Sequence, residues 1–193
     1  MATSASRVPI VVAYKDEWPQ RAADLQASLR TALGDVVEGI EHIGSTAITG
    51  MAAKDIIDLQ ISVSDLDSAV SSFDGPLGAL GFQRLPFMSD HVPAGRADGP
   101  GLWAKRFWLR RDHPDGDVNL HVRRTGAPNE RLALLFRDWF RSHPEAVAAY
   151  ASFKAALAAV VADTDTYADV KDPVVDLIIA VAEAWTAEVG WQP

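Results

Sequence analysis

Two groups of residues in this 193-residue sequence have the types and spacing of a chemical site. The first is Gly44-Ser45-Thr46, with Asp58 downstream. A glycine lets backbone N–H groups converge on an anion, and a helix N-terminus adds partial positive charge, so such a turn suits a phosphate. The same tripeptide also serves as a plain helix cap. Asp58 strengthens the phosphate reading, because a carboxylate on the open face of a following strand suits Mg²⁺ or Mn²⁺ bridging to a phosphate held by the turn. The second group is Asn119 and His121, two residues apart on another strand. His121 titrates near working pH and has the chemistry of a general base, a metal ligand or a substrate anchor, or of a hydrogen-bonded strand histidine outside any chemistry. His42, directly before the turn, would touch a phosphate or make a structural hydrogen bond across the sheet. Lys54, Arg106 and Lys171 would neutralise a triphosphate or carboxylate, and for Lys171 the other reading is a salt bridge locking the last helix to the sheet. His91, His113 and His143 sit in expected loops and receive no role.

These groups need a scaffold. After an extended lead over Val8–Ala13, Asp16 is the expected N-cap of a helix carrying Trp18, Ala22, Leu25, Leu29 and Leu33, ended by Gly34. Val36–Ile43 has mixed β character and leads into the Gly44 turn. Ile56–Val63 alternates cleanly, which sets Asp58, Gln60 and Ser62 on the face opposite Ile57, Leu59, Ile61 and Val63. A helix from Leu66 is expected to be capped by Ser64 and interrupted near Gly75-Pro76. Pro86–Gly101, with three Pro and three Gly, reads as a long loop and a candidate lid. Leu102–Arg111 and Asp117–Arg123 read as an antiparallel hairpin closed at Asp115-Gly116, with Asp117, Asn119, His121 and Arg123 sharing one face. Trp103 and Trp108 then fall on opposite faces, so one of them borders the cleft. Three helices follow, whose Phe136, Trp139, Phe140 and Phe153 have the spacing of core residues, and Asp172-Pro173 marks the expected start of the last.

Composition narrows the classes. Eighteen Lys plus Arg against 26 Asp plus Glu leave a charge of −8, which opposes loose binding to nucleic acid or an anionic membrane. With no cysteine there is no disulfide, thiolate metal site or cysteine nucleophile. The N-terminal residues lack a secretory pattern, and Pro173–Trp185, the most apolar segment, is broken by Asp176 and Glu183, so a cytoplasmic protein without a membrane span is expected. Order and length suggest a single α+β domain over 1–193, a mixed sheet flanked by helices, with about 127–190 forming a helical C-terminal part.

The run EHIGSTAITGMAAKDIIDLQISV, Glu41 to Val63, resembles the GrpB family, also called UPF0157, in its HIGST turn, lysine and IID strand. Tyr14 with Trp18-Pro19, NLHV at Asn119–Val122, LLFRDWFRSHPE at Leu134–Glu145, Tyr150 with Phe153-Lys154, and Tyr167 with Lys171 extend the resemblance over about residues 8 to 185. It implies a nucleotidyltransferase-like fold, in which Gly44 and Ser45 form the phosphate turn and Asp58 is the first metal ligand. The second acid of that pattern falls at Gln60, a neutral and weaker ligand, and the third has no clear match near Asn119, His121 and Asp117. Thr49 and Asp55 stand where the family usually shows prolines. The implied function is binding of a nucleotide or small phosphorylated metabolite with a divalent metal, and nucleotidyl or phosphoryl transfer if catalytic. The alternatives are a non-catalytic small-ligand or interaction module that keeps the cleft, and a metal-independent enzyme using His121 as base.

Overall fold

The computed structural model describes residues 8–193. Five helices and five strands follow in the order α1 (Trp18–Leu33), β1 (Gly39–Ile43), β2 (Ile56–Val63), α2 (Leu66–Ala79), β3 (Gln83–Leu85), β4 (Lys105–Arg110), β5 (Asp117–Arg124), α3 (Pro128–Ser142), α4 (Pro144–Val160) and α5 (Thr164–Val189). The strands form one mixed sheet of order β1-β2-β5-β4-β3. Only β2 and β5 run parallel, and their register sets Asp58 beside Asn119, Gln60 beside His121 and Ser62 beside Arg123. The expected α+β class and the antiparallel β4–β5 hairpin are both present.

The alternation in β2 and β5 divides the sheet into two chemical faces. Ile57, Leu59, Ile61, Val63, Val118, Leu120 and Val122 bury against α1 and α2 together with Trp18, Leu29, Phe73 and Trp108. At about 25 cal/mol per Å² of apolar surface, this layer supplies the main drive for folding. The polar face is roofed by α3, α4 and α5. There Ile48, Met51, Phe140, Val147 and Tyr150 form one apolar cluster, and Trp103, Leu132, Leu135, Ile179 and Ala182 another. The roof makes β2 buried on both sides. Gln60 is fully buried and Ser62 nearly so, and both bond Glu130 of α3: Gln60 Nε2 to its carbonyl at 3.3 Å and Ser62 Oγ to its carboxylate at 2.5 Å.

Several local expectations change. Glu17, not Asp16, precedes α1, and it makes no side-chain cap. Asp65 rather than Ser64 caps α2, accepting a hydrogen bond from the Ser68 amide. That helix runs on through Gly75-Pro76, because a proline near the helix end removes one backbone bond that packing of Phe73 and Leu77 offsets. Pro173 likewise lies inside α5, which starts at Thr164 under an Asp163 cap, so Asp172-Pro173 starts no helix. Pro100–Trp103 forms a 3₁₀ turn and β4 starts only at Lys105. The short edge strand β3 has no alternation to announce it. Among the described residues no helix is long and apolar enough to cross a membrane.

Candidate functional site

The loop between β1 and β2 begins with Gly44 at φ +69°, a backbone region that favours glycine, and continues as a 3₁₀ turn over Ser45–Ala47. A β-carbon at position 44 would stand 2.6 Å from Asp58 Oδ2, so glycine is also what lets the turn approach the carboxylate. His42 lies below this turn, buried, with Nε2 2.9 Å from Thr46 Oγ1. Burial holds its pKa down to about 4, with Arg141 and Arg137 acting in the same direction against Asp58. From α3, Arg137 donates to the His42 carbonyl at 3.1 Å and Arg141 to that of Ala47 at 2.9 Å. Another tie holds the loop's far end: Asp55 accepts from Lys15, Trp18 Nε1 and Arg21 at 2.7 to 2.8 Å. Burial works against the charged Asp55, yet these three donors bring its pKa to about 2.

The turn opens into a cavity of about 500 Å³ between the polar sheet face and the helical roof. Gly44, Ser45, Thr46, Lys54, Asp58, Asn119, His121 and Lys171 all line it, so the structure brings together eight of the residues singled out from the sequence. Asp58 is partly exposed there and accepts from Asn119 Nδ2 at 2.7 Å. Burial pushes its carboxyl up, but His121, Asn119 and the Lys54 charge outweigh that and hold it below the usual range. The Asn119 oxygen accepts from Arg111, which fixes the amide with its NH₂ toward Asp58. His121 Nε2 is 3.9 Å from Asp58 Oδ1, and its Nδ1 is 3.4 Å from Arg123 Nη2. Arginine only donates, so Nδ1 accepts and the ring proton sits on Nε2, facing Asp58. Burial, aided by Arg123 and Lys105, lowers the His121 pKa despite Asp58. A neutral His121 therefore offers a donor to the cavity, not the lone pair a general base needs.

Three sequence-derived site residues do not reach the cavity. Arg106 registers with Val122 on the apolar face and pairs with Asp67 of α2 at 2.6 Å, while its neighbour Lys105 points to the site. His42 is on that same apolar side, engaged with Thr46. Gln60 gives its oxygen to Arg123 Nη1 at 2.6 Å beneath the roof and does not line the cavity where a metal would sit. The donor set does not fit a resident two-metal centre: Asp58 is the carboxylate at the turn, Gln60 is committed, and Asn119 presents N–H. Among the described residues no group of three or more His, Asp or Glu could hold a metal ion.

A residue that the sequence marks only within the Phe153-Lys154 match, with no role, completes the site. Lys154 of α4 is almost fully buried and donates from Nζ to Ser45 Oγ at 2.8 Å, 5.0 Å over the Tyr150 ring. Burial brings its pKa to about 7, with Lys171 and Lys54 lowering it further and Asp58 opposing. Lys54, 5.2 Å over the Tyr167 ring, is lowered by burial as well. Trp103, Phe136, Tyr150 and Tyr167 form an apolar wall, so of the two hairpin tryptophans it is Trp103 that borders the cavity. The expected lid crosses here too. Its Asp90 is held at 2.6 Å by Lys105, 2.8 Å by Arg123 and 2.9 Å by Asn129. Burial disfavours that charge, but Arg123 and Lys105 hold the carboxyl far below its usual range. Further along, Asp176 of α5 bonds His91 and the Ala94 amide.

Fold and site together define an α+β domain in which a Gly-Ser turn, an acid-bearing strand and its parallel neighbour line one cavity. Residues 9–180 match the family described as GrpB protein, and the chain belongs to that family. It is 36% identical over 203 residues to a dephospho-CoA kinase of Mycolicibacterium paratuberculosis, covering 97% of this chain and 49% of that one. The UPF0157 protein YqkA of Bacillus subtilis is 31% identical over 180 residues, covering 91% and 47%. This chain thus spans about half the length of those curated relatives. The crystal structure of conserved protein GrpB from Enterococcus faecalis superposes with a TM-score of 0.72 at 25% identity, over 91% of this chain and 99% of that one.

Proposed function

We propose that the cavity binds a nucleotide or another small phosphorylated metabolite, its phosphate seated between the Gly44-Ser45 turn and Lys154. The observation that carries this reading is the Lys154–Ser45 contact at 2.8 Å, with Lys54 and Lys171 lining the same cavity. Among the described residues neither Lys154 nor Lys54 has an ion-pair partner, whereas Asp90 and Asp176 in the wall are already paired. A phosphate supplies the missing negative charge and restores the full charge of Lys154. Trp103, Phe136, Tyr150 and Tyr167 would face the organic part of the ligand.

Phosphoryl or nucleotidyl transfer is the second reading, favoured by the ionised, Asn119-oriented Asp58 beside the turn. There Asp58 would accept the proton of an incoming hydroxyl and His121 Nε2 would donate to a phosphate oxygen. Mg²⁺ or Mn²⁺ carried in with a nucleotide would meet Asp58 as its carboxylate at the turn. Binding without transfer is the better supported, because Gln60 stands where the implied pattern has its second acid and the third has no clear match. A phosphorylated metabolite as ligand accords with a cytoplasmic protein.

The mycobacterial relatives carry the name dephospho-CoA kinase, so ATP and dephospho-CoA are the first ligands to titrate, with inorganic phosphate, by calorimetry with and without Mg²⁺. Saturable binding is expected, weakened at least tenfold by Lys154→Met. Equal affinity in that variant, or no heat with any of the three, would overturn the proposal.

A further inference from the structure

A second cavity, of about 1170 Å³, lies between α1, the C-terminal end of α2 and the β4–β5 loop, and shares no lining residue with the first. Arg110, the last residue of β4, lines it. The register with Val118 turns Arg110 toward the helices, where it is 4% exposed and lies 5.3 Å over the Phe82 ring. Two of its guanidinium nitrogens, Nε and Nη2, are sealed from solvent and have no hydrogen-bond partner. No carboxylate among the described residues lies within ion-pair distance of it.

Buried N–H groups are nearly always satisfied, and a buried cation is stable only when paired. The cavity's own acids do not serve. Asp55 holds Lys15, Trp18 and Arg21. Glu17 is near Lys15, and Asp24 accepts from Gln20. Asp117 caps the Asp112 amide, and Asp115 faces His113 at 3.5 Å. Arg110 is thus the charge in this cavity with no commitment. Gly81, at φ +81°, puts no side chain beside Arg110 and His113, where a β-carbon would meet His113 at 3.3 Å and the Arg110 stem at 3.6 Å.

We infer that this second cavity binds a small oxyanion-bearing metabolite, with its phosphate or carboxylate group anchored on Arg110. Either group accepts the two parallel N–H bonds of a guanidinium. This inference stands apart from the proposal for the first cavity, since it uses none of its residues.

The test titrates inorganic phosphate and, separately, citrate into the full chain carrying Lys154→Met, which disables the first cavity, and follows the melting temperature and amide NMR shifts. A saturable response is expected, with shifts at Gly81, Arg110 and His113. A response to phosphate alone assigns a phosphoryl ligand and one to citrate alone a carboxylate. Adding Arg110→Met should abolish it without lowering the anion-free melting temperature, because the variant removes an uncompensated buried charge and keeps the side chain's bulk. Arg110→Lys, which keeps charge but not the fork, should weaken it at least fivefold. A response unaltered by Arg110→Met, or none to either anion, overturns the inference.

Discussion

Lys154 carries a charge that is costly to the unliganded protein. Burial brings its pKa to about 7 against 10.5 when unfolded. Between those values the unfolded chain holds the extra proton, so stability should rise as pH increases from 7 toward 10.5, and the penalty is fully present below 7. Lys154→Met should therefore stabilise the free protein at pH 7 by roughly 2–4 kcal/mol and flatten that rise, measured by urea unfolding, while removing phosphate affinity. His42 has the same sign at lower pH. Its pKa of about 4 lies under the 6.5 of a free imidazole, so stability should fall by up to about 3 kcal/mol as pH drops through that window. His42→Asn, which cannot titrate, should flatten that acid limb. Gly44, Ser45, Asp58, Asn119 and His121 were legible because local rules, turn chemistry and strand alternation, place them. Lys154 was legible only inside the Phe153-Lys154 match, with no role attached, because its partner Ser45 is 109 positions away. His121 was legible as a site residue, but its tautomer depends on Arg123, a tertiary contact.

At the level of elements, the parallel pairing of β2 with β5 converts two separate alternations into one site, by setting Asp58 opposite Asn119. The turn feeding β2 is equally constrained. Gly44→Ala would introduce a methyl 2.6 Å from Asp58 Oδ2 at a positive φ. A loss of about 1–3 kcal/mol is expected in chemical unfolding, with displaced Asp58 and weaker ligand binding. A stability change under a few tenths of a kcal/mol would show that the turn relaxes freely. Strand faces were readable from period two, yet Arg106 was mistaken for Lys105 as the site cation. Which face of that strand meets the site is set by its pairing with β5, where Lys105 meets Arg123 and Arg106 meets Val122. Helix ends were harder still. Pro76 and Pro173 are tolerated inside helices whose packing outweighs one lost backbone bond, and no local signal reveals that packing.

Over the whole molecule, the loop expected to be a lid is fastened by Asp90 to β4, β5 and α3 at once. Asp90→Ala would strand Lys105 and Arg123 with a buried, uncompensated charge. It should lower stability by about 3–5 kcal/mol and speed amide exchange across residues 86–101. Exchange confined to its parent rate would show that Asp176 alone secures the segment. The helical roof was foreseeable as three amphipathic helices, but not its closeness to the polar sheet face, since hydrophobic spacing tells which stripe is buried and not against what. Ser45 belongs to the sheet half and Lys154 to the roof, so the first cavity is a seam with one wall from each. A tenant gripping both walls would join their fates on heating: bare protein should begin to shed its last helices early, whereas saturated protein should melt later and in a narrower interval.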